Sequence, residues 1–553
     1  MPRAIDPKLL QFGSLSETII NSKYAQFPTQ QDKQTWPEIA RRVASSVLSA
    51  VPASQSLIDE LTYRISIRQI IPGGRYLYAA GRDYHQVQNC LLMRAEDSRE
   101  GWSEIMHNAS MALMSGAGIG IEYSPVREAG ALIKRTGGQA TGPTALMQMV
   151  NEAGRHIMQG GSRRSAIWAG LGWDHPDIFT FIDIKNWSPE VRALKAKDFN
   201  FPAPMDGTNV SVRLDGEFFK AYNDLEHHKH DHAHSVYWKT IHQMLKTGEP
   251  GFSIDTGENE GETLRNACTE VSSSDDSDIC NLLSINMARI NTLEDMQACV
   301  EVSTALLVAG TVYSHVPYDK VAEIRTRNRR LGLGLMGLHE WLIKHGKQYG
   351  PDDDLKKYLE IYEQSTLHAH GWERKWGLSL SAKTRAIAPT GTIGIVAETT
   401  TGCEPIFCVA FKRRYLQGKV WNYQYVIESI AQRLIEQDGI APDQVEDAYS
   451  ITPERRVEFQ TWLQQYVDHG ISSTINLPAW GSPTNNEDTV TDFGNMLMKN
   501  LPKLRGITCY PDGARSGQPL TAVSYKTAMK HKGQIFIESQ DVCDWTKGGT
   551  CGN

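Results

Sequence analysis

Apolar residues recur along this chain with two different spacings, and the change between them divides it. From about Ser14 to Ile70 they fall at helical intervals, as in Trp36-Pro-Glu-Ile-Ala-Arg-Arg-Val-Ala-Ser-Ser-Val-Leu48, until Pro72-Gly-Gly74 interrupts the pattern. A small helical region over residues 1–75 is predicted. From there to about residue 400, helical stretches such as Trp102 to Met114 and Thr144 to Met158 alternate with short β-branched runs and Gly-rich turns. That alternation predicts a parallel-sheet α/β domain, since parallel strands need helical crossovers between them. Between residues 436 and 500, Asp-Gly, Ser-Pro and Asn-Asn turns read as an insertion of helices and loops.

The 553 residues, 40% hydrophobic and 22% charged, can build a large core. No Pro/Ser-rich linker or charge block cuts the chain, so one dominant domain is expected over 76–535, followed by a short tail over 536–553. A formal charge of -7 argues against broad electrostatic capture of nucleic acid but leaves single nucleotides as ligands. Met1 to Gln11 lacks a signal-peptide pattern, and no uninterrupted apolar run approaches the roughly 20 residues that span a bilayer. A cytoplasmic protein without membrane attachment is expected.

Nine cysteines, at 90, 268, 280, 299, 403, 408, 509, 543 and 551, are an odd count in a large chain, which argues against a structural disulfide framework. Asn266-Ala-Cys268-Thr-Glu270 is the most specific local feature. An amide, a thiol and a carboxyl at alternate positions face one way in an extended segment and can meet one small molecule. Cys280 follows ten residues after Glu270, and Gln88-Asn89-Cys90 stands far upstream, so three cysteines suggest redox work. Ala388-Pro-Thr-Gly-Thr-Ile-Gly394 offers hydroxyls and successive backbone N–H groups suited to an anion. The histidines of Glu226-His-His-Lys-His-Asp-His-Ala-His234 read as a solvated polar face, and no metal site is expected. Arg330-Leu-Gly-Leu-Gly-Leu-Met-Gly reads as close packing of backbone, which glycine permits.

Seven of these elements, in order and spacing, resemble ribonucleotide reductase large subunits. They are Asn89-Cys90 followed by Glu96-Asp97-Ser98, Ser115-Gly-Ala-Gly-Ile-Gly120, Asn266-x-Cys268-x-Glu270, Cys280-Asn-Leu, Arg330-Leu-Gly-Leu-Gly, Pro389-Thr-Gly-Thr-Ile393 and Tyr510-Pro-Asp-Gly-Ala-Arg515. The resemblance implies a ten-stranded α/β barrel of two five-stranded parallel halves with a finger loop. It implies a thiyl radical at Cys268, a proton acceptor in Glu270, a sugar-binding amide in Asn266, and reducing thiols in Cys90 and Cys280. Asn89 and Gly118 would lie against the substrate. Pro389, Thr390, Gly391, Thr392 and Ile393 would cradle the phosphates of a ribonucleoside di- or triphosphate, carried with Mg. Asp97, Ser98, Arg127, Lys134, Arg135 and Arg163 would belong to a site for a dNTP or ATP specificity effector, which in this family usually lies at a dimer interface, so a homodimer is expected. Cys543 and Cys551 would relay electrons from a thioredoxin- or glutaredoxin-like donor. The match reaches the barrel too early for an N-terminal ATP cone, so a minimal enzyme is expected.

Two radical sources stay open at this point. A ferritin-like dimetal subunit would pass its radical through a tyrosine pair, where this chain has Cys509 and Tyr510. Adenosylcobalamin would generate it in place, and the Tyr-x-Asp-Gly-x-Arg form is nearer that group. The alternatives outside the family are another thiyl-radical enzyme on the same barrel and a noncatalytic nucleotide sensor.

Overall fold

The computed structural model describes residues 3–26, 33–134, 136–159, 163–197, 201–417, 420–514 and 520–537. The predicted helical region contains α1 (Ser14–Ile19), α2 (Trp36–Leu48) and α3 (Gln55–Ser66). Thr35 and Glu38 form a capping box at the start of α2. Trp36, Ile39, Ala40, Val43 and Val47 are buried on one face of that helix, which packs on α3. These helices share a core with the strands that follow.

Among the described residues the large sheet and the finger loop comprise twelve strands. They are β1 (Ile70–Pro72), β2 (Cys90–Arg94), β3 (Gly118–Glu122), β4 (Ile167–Gly172), β5 (Thr208–Asp215), β6 (Gly251–Asp255), β7 (Leu264–Arg265), β8 (Ser272–Ser273), β9 (Asp278–Asn286), β10 (Leu331–Met336), β11 (Thr474–Leu477) and β12 (Gly506–Pro511). Strands β2 to β6 run parallel as one half. In the other half β9 pairs β10 in parallel and β11 pairs β12 in parallel. Two antiparallel seams, β2 with β9 and β6 with β12, join the halves.

The second half is completed by residues 385–387. Leu333 bridges Arg385 and Ile387 bridges Ile471, both in parallel, and Ile471 leads into β11. Ala386 N donates to Leu333 O at 3.0 Å and Ser472 N to Ile387 O at 2.9 Å. Isolated bridges rather than a continuous ladder therefore link β10 to the opposite edge, and the two five-stranded parallel halves that the resemblance implies are present. β1 lies outside this count, antiparallel to the later part of β9.

Two apolar cores separate the strands from surrounding helices, one mainly beside β9 and β10 and one beside β2 to β6. A third, small cluster of Cys90, Leu92, Leu264, Val271, Cys280 and Ala386 packs the finger hairpin against the strands. The helix Leu293–Tyr313 is long and apolar enough to cross a membrane, yet 72% of its apolar stretch is buried within the protein.

A smaller unit comprises Ile406–Ser450 and the chain from Gly517 onward. Its antiparallel sheet runs Leu520–Ala522, Ala410–Gln417, Val420–Ile427, Ile535–Ile537. The stretch 436–500, read from sequence as an insertion, is divided: from Ile451 it belongs to the main unit and supplies β11. Its turn-forming dipeptides mask the short strand Thr474-Ile-Asn-Leu477 between them.

Candidate active site

The finger loop is a hairpin in which Leu264 pairs Ser273 and Arg265 pairs Ser272. Its tip carries Asn266, Cys268 and Glu270. The sequence suggested an extended segment with alternate side chains converging. Instead the tip turns: Thr269 N donates to Asn266 O at 3.1 Å, and Thr269 takes a left-handed φ of 67°. Such a conformation costs a β-branched residue energy, and surrounding contacts must hold it. They do so on several sides. Asn266 Oδ1 accepts from Val271 N at 3.0 Å, Asn209 Nδ2 donates to Ala267 O at 3.2 Å, and Gly470 N donates to Glu270 O at 2.7 Å.

The root of the hairpin is fixed by buried charge. Arg265 spends its guanidinium on the carbonyls of Leu264 (3.0 Å) and Ile254 (2.7 Å). Ser272 Oγ donates to Glu262 at 2.6 Å and Ser273 Oγ to Asp278 at 2.7 Å. Arg330 then joins both carboxylates, at 2.6 Å from Asp278 and 3.3 Å from Glu262, while Lys383 pairs Glu262 at 2.5 Å. Asp278 and Cys280 alternate on β9, so this clamp lies on the strand that carries a candidate redox thiol.

Cys90 and Cys280 are direct partners across the β2–β9 seam. Such partners have Cα atoms about 4.5–5.5 Å apart, within disulfide reach. Both are buried free thiols. Burial pushes each thiol well above its usual range. For Cys90 the Glu270 charge and the other two cysteines add to the shift; for Cys280, Asp278 and Glu270 do, with Arg330 opposing. Cys90 Sγ also donates to Glu270 Oε1 at 3.9 Å.

One cavity of about 520 Å³ collects these groups. Asn89, Cys90, Gly118, Asn266, Cys268 and Glu270 line it, and so do Pro389, Thr390, Gly391, Thr392 and Ile393. Helix Gly391–Ala397 begins there, after Thr390 in a left-handed conformation (φ 51°) whose hydroxyl accepts from Gly402 N at 2.8 Å. The first N–H groups of a helix have no partners within it, so they are available to an anion. Sequence reasoning missed Ser22, Lys23, Tyr24 and Arg75, which also line the cavity. Their segments carry no distinctive motif; only the Pro72-Gly-Gly74 break marked the place where the chain passes close to Leu282, whose carbonyl a β-carbon on Gly73 would meet at 2.6 Å.

Other candidates lie apart from this cavity's lining. Asp97 pairs Arg127 at 2.8 Å, and Ser98 caps the helix Arg99–Ser115 through Gly101 N at 2.9 Å. Lys134 is exposed. Arg135, Cys543 and Cys551 lie outside the described residues, as does the side chain of Arg163, whose backbone pairs Gln159. On β12, Cys509 is buried in the outer core with Ile507, its thiol pushed up to about 12 by burial, whereas Tyr510 is half-buried on the opposite strand face. The histidines of 226–234 bind separately: His227 to Glu217, His230 to Ala221 O, His232 to Trp173 O and His234 to Tyr222 O.

A second cavity in the same unit, about 930 Å³, shares Ala166 with the first. Asn209, Trp187, Trp480, Asp512 and Gly513 are among its walls. Asn209 is the residue that holds the Ala267 carbonyl, next to Cys268.

The profile of the family described as "Ribonucleotide reductase, barrel domain" matches residues 88–375 and 373–503. The chain is 27% identical to a vitamin B12-dependent ribonucleoside-diphosphate reductase of Mycobacterium tuberculosis (strain CDC 1551 / Oshkosh), over 91% of this chain and 79% of that protein. It is 25% identical to a protein of the same name in Thermoplasma acidophilum, over 85% and 67%. It is 21% identical to the ribonucleoside-diphosphate reductase subunit alpha of Chlamydia muridarum, over 76% and 52%.

Proposed function

Since the chain belongs to the ribonucleotide reductase barrel family, we propose that it is a catalytic subunit that reduces ribonucleoside di- or triphosphates to deoxyribonucleotides. The observation that carries this reading is the single cavity in which Cys268, Glu270, Asn266, the Cys90 of a cross-strand thiol pair and the Thr390 turn meet.

In this mechanism a thiyl radical on Cys268 removes the 3′ hydrogen of the ribose. Glu270 accepts the 3′-hydroxyl proton while Asn266 holds the sugar. Taking that proton as the 2′-hydroxyl departs avoids charge build-up in a site with little water. Cys90 and Cys280 supply two electrons and two protons, the 2′-hydroxyl leaves as water, and the pair ends as a disulfide. Cys268 then gives the hydrogen back to C3′ of the product radical, which completes the deoxyribonucleotide and regenerates the thiyl radical. The raised thiol ranges support this role, because Cys90 and Cys280 then hold their protons at neutral pH until the reaction takes them. N–H groups at the start of helix Gly391–Ala397, with the Thr390 and Thr392 hydroxyls, would bind the phosphate oxygens, and Mg would enter with the nucleotide, held by its phosphates.

Adenosylcobalamin is the radical source this reading adopts, following the printed names of the relatives. When bound, it supplies an organic radical. The second cavity fits such a group: it offers Trp187 and Trp480 for stacking, abuts the substrate cavity at Ala166, and includes the amide that positions the backbone beside Cys268. Where a tyrosine pair would carry a radical from a ferritin-like subunit, this chain has one phenol, Tyr510, beside the buried Cys509 thiol, which burial pushes up to about 12.

A dNTP or ATP effector would bind near Asp97, Ser98, Arg127, Arg135 and Arg163. Met111 (41% exposed) and Met114 (59%) on helix Arg99–Ser115, with Met149 (48%) on the neighbouring helix Pro143–His156, support a homodimer covering this face. Cys543 and Cys551 would accept electrons from a thioredoxin- or glutaredoxin-like protein and reduce the Cys90–Cys280 disulfide, in the cytoplasm. The test is ribonucleotide reduction by purified protein with dithiothreitol and an effector, run with adenosylcobalamin and separately with a ferritin-like subunit. Turnover with the cofactor alone, lost in Cys268→Ser, is expected; nucleotide binding without product under either condition would favour a sensor.

A further inference from the structure

The chain's N-terminal segment is fastened before and at the end of the stretch that lines the substrate cavity. Before the stretch Gly13 N donates to Glu398 Oε1 at 2.6 Å and Ser16 Oγ to Ile395 O at 2.7 Å, which ties the segment to the helix that begins at the Thr390 turn. Arg68 reinforces this anchor, bonding Glu398 at 2.7 Å and the carbonyls of Leu9 and Gln11 at 3.1 and 3.2 Å. At the end of the stretch Arg42 donates to Tyr24 O at 3.0 Å. Between the anchors, Ile20–Tyr24 form one wide turn, closed by Ala25 N to Ile20 O at 2.9 Å, and Ser22, Lys23 and Tyr24 line the cavity together with Thr390, Gly391 and Thr392.

The charges of the lining are few. They are Lys23, Arg75 and Glu270. Arg75 is committed to the carbonyls of Gln86 (3.2 Å) and Ser115 (3.2 Å), and Gly116 packs against its guanidinium. The Lys23 side chain makes no ion pair or hydrogen bond among the described residues, and the residue is exposed. Backbone N–H groups and hydroxyls orient phosphate oxygens but do not neutralise several negative charges, which a lysine ammonium does as a point charge.

We propose that Lys23 is the cation that binds the phosphate chain of the substrate, acting with the Thr390 turn that lines the same cavity. This assignment rests on the ribonucleotide reading above and adds a specificity residue to that site. Phosphate is thus gripped by two segments already tied to each other through Ser16 and Ile395, so their relative position is set before substrate arrives.

The experiment is calorimetric titration of full-length protein, without radical cofactor, using cytidine diphosphate, cytidine triphosphate and cytidine. Lys23→Met and Lys23→Gln are expected to weaken both nucleotides about 10- to 100-fold, the range of a charge-assisted hydrogen bond. Lys23→Arg should restore affinity to within a few fold, and cytidine should bind all variants alike. In steady state the loss should fall on KM, with kcat retained. Unchanged nucleotide affinity in Lys23→Met, or an equal loss for cytidine, overturns the assignment while leaving the reductase reading intact. Failure of the unaltered protein to bind either nucleotide would overturn both.

Discussion

Gly120 lies so close beneath the finger loop that a β-carbon built on it would stand 1.8 Å from the carbonyl oxygen of Arg265. No flexible side chain can yield there, since the obstructing atom is backbone. The contact sets how closely the hairpin approaches β3, and therefore where Cys268 stands relative to Cys90 at the start of the neighbouring strand.

Gly120→Ala should therefore displace the hairpin. Overpacking of this kind costs about 1–3 kcal/mol, and a misplacement of roughly 1 Å costs about 100-fold in rate. Urea unfolding and ribonucleotide reduction measure the two effects. Gly138→Ala, where the nearest contact is the Thr136 hydroxyl at 3.8 Å, should change stability by no more than about 0.5 kcal/mol. Equal behaviour of the two variants would refute the role given to Gly120.

The clamp at the hairpin root leads to a second prediction. Arg330→Met leaves Asp278, which is fully buried, with its hydrogen bonds from Ser273 and Asn328 but without its cation. Removing one partner of a buried pair destabilises by about 3–5 kcal/mol. The double variant Arg330→Met/Asp278→Asn should recover a large part of that loss. Chemical denaturation of the four proteins in this cycle gives the coupling directly, and additive effects would show that the pair is not a unit.

Much of this architecture could be read from the chain alone, for reasons that differ by element. The ordered cysteines and the Thr390 turn were visible because redox and phosphate chemistry need particular residue types at particular places. The alternation of helical and β-branched stretches announced a parallel sheet. What stayed hidden depended on contact between distant segments. Lys23 has nothing around it in sequence to mark it, and only the anchors at Glu398 and Arg42 bring it to the cavity. The left-handed Thr269 is likewise invisible locally, because the hydrogen bonds to Asn209 and Gly470 impose the turn from outside. The smaller unit escaped because no linker composition marks the break after Pro405.

Stability should fall in alkaline solution. Cys299, Cys403 and Cys509 are each pushed by burial from about 9 to about 12. A thiol whose folded value is raised stabilises the fold fully below its unfolded value, and that contribution is lost as pH rises through the folded one. Between pH 9 and 12 the unfolded chain gives up protons that the folded chain retains, so unfolding gains up to about 1.4 kcal/mol per thiol per pH unit. The urea midpoint measured from pH 8.5 to 10.5 should drop steadily, and less steeply in Cys509→Val. An unchanged slope in that variant would remove Cys509 as a contributor.

The radical route gives the last prediction. Neighbouring residues of a strand point to opposite faces, and on β12 Cys509 is sealed in the outer core beside Ile507 while Tyr510 faces the other way. A radical relay through this pair would have to pass through a buried thiol that keeps its proton. A cofactor bound in the cavity lined by Asn209 and Asp512 would need no such relay, because Asn209 donates to the backbone next to Cys268. Tyr510→Phe should therefore retain turnover with adenosylcobalamin, while Asn209→Ala should lose it by loosening Ala267 and the Cys268 turn. Spectrophotometric titration with the cofactor separates a binding defect from a positioning one: Asn209→Ala that binds normally but turns over slowly marks a positioning role. Loss of cobalamin-driven activity in Tyr510→Phe, with cofactor binding intact, would instead place the tyrosine on the path of the radical.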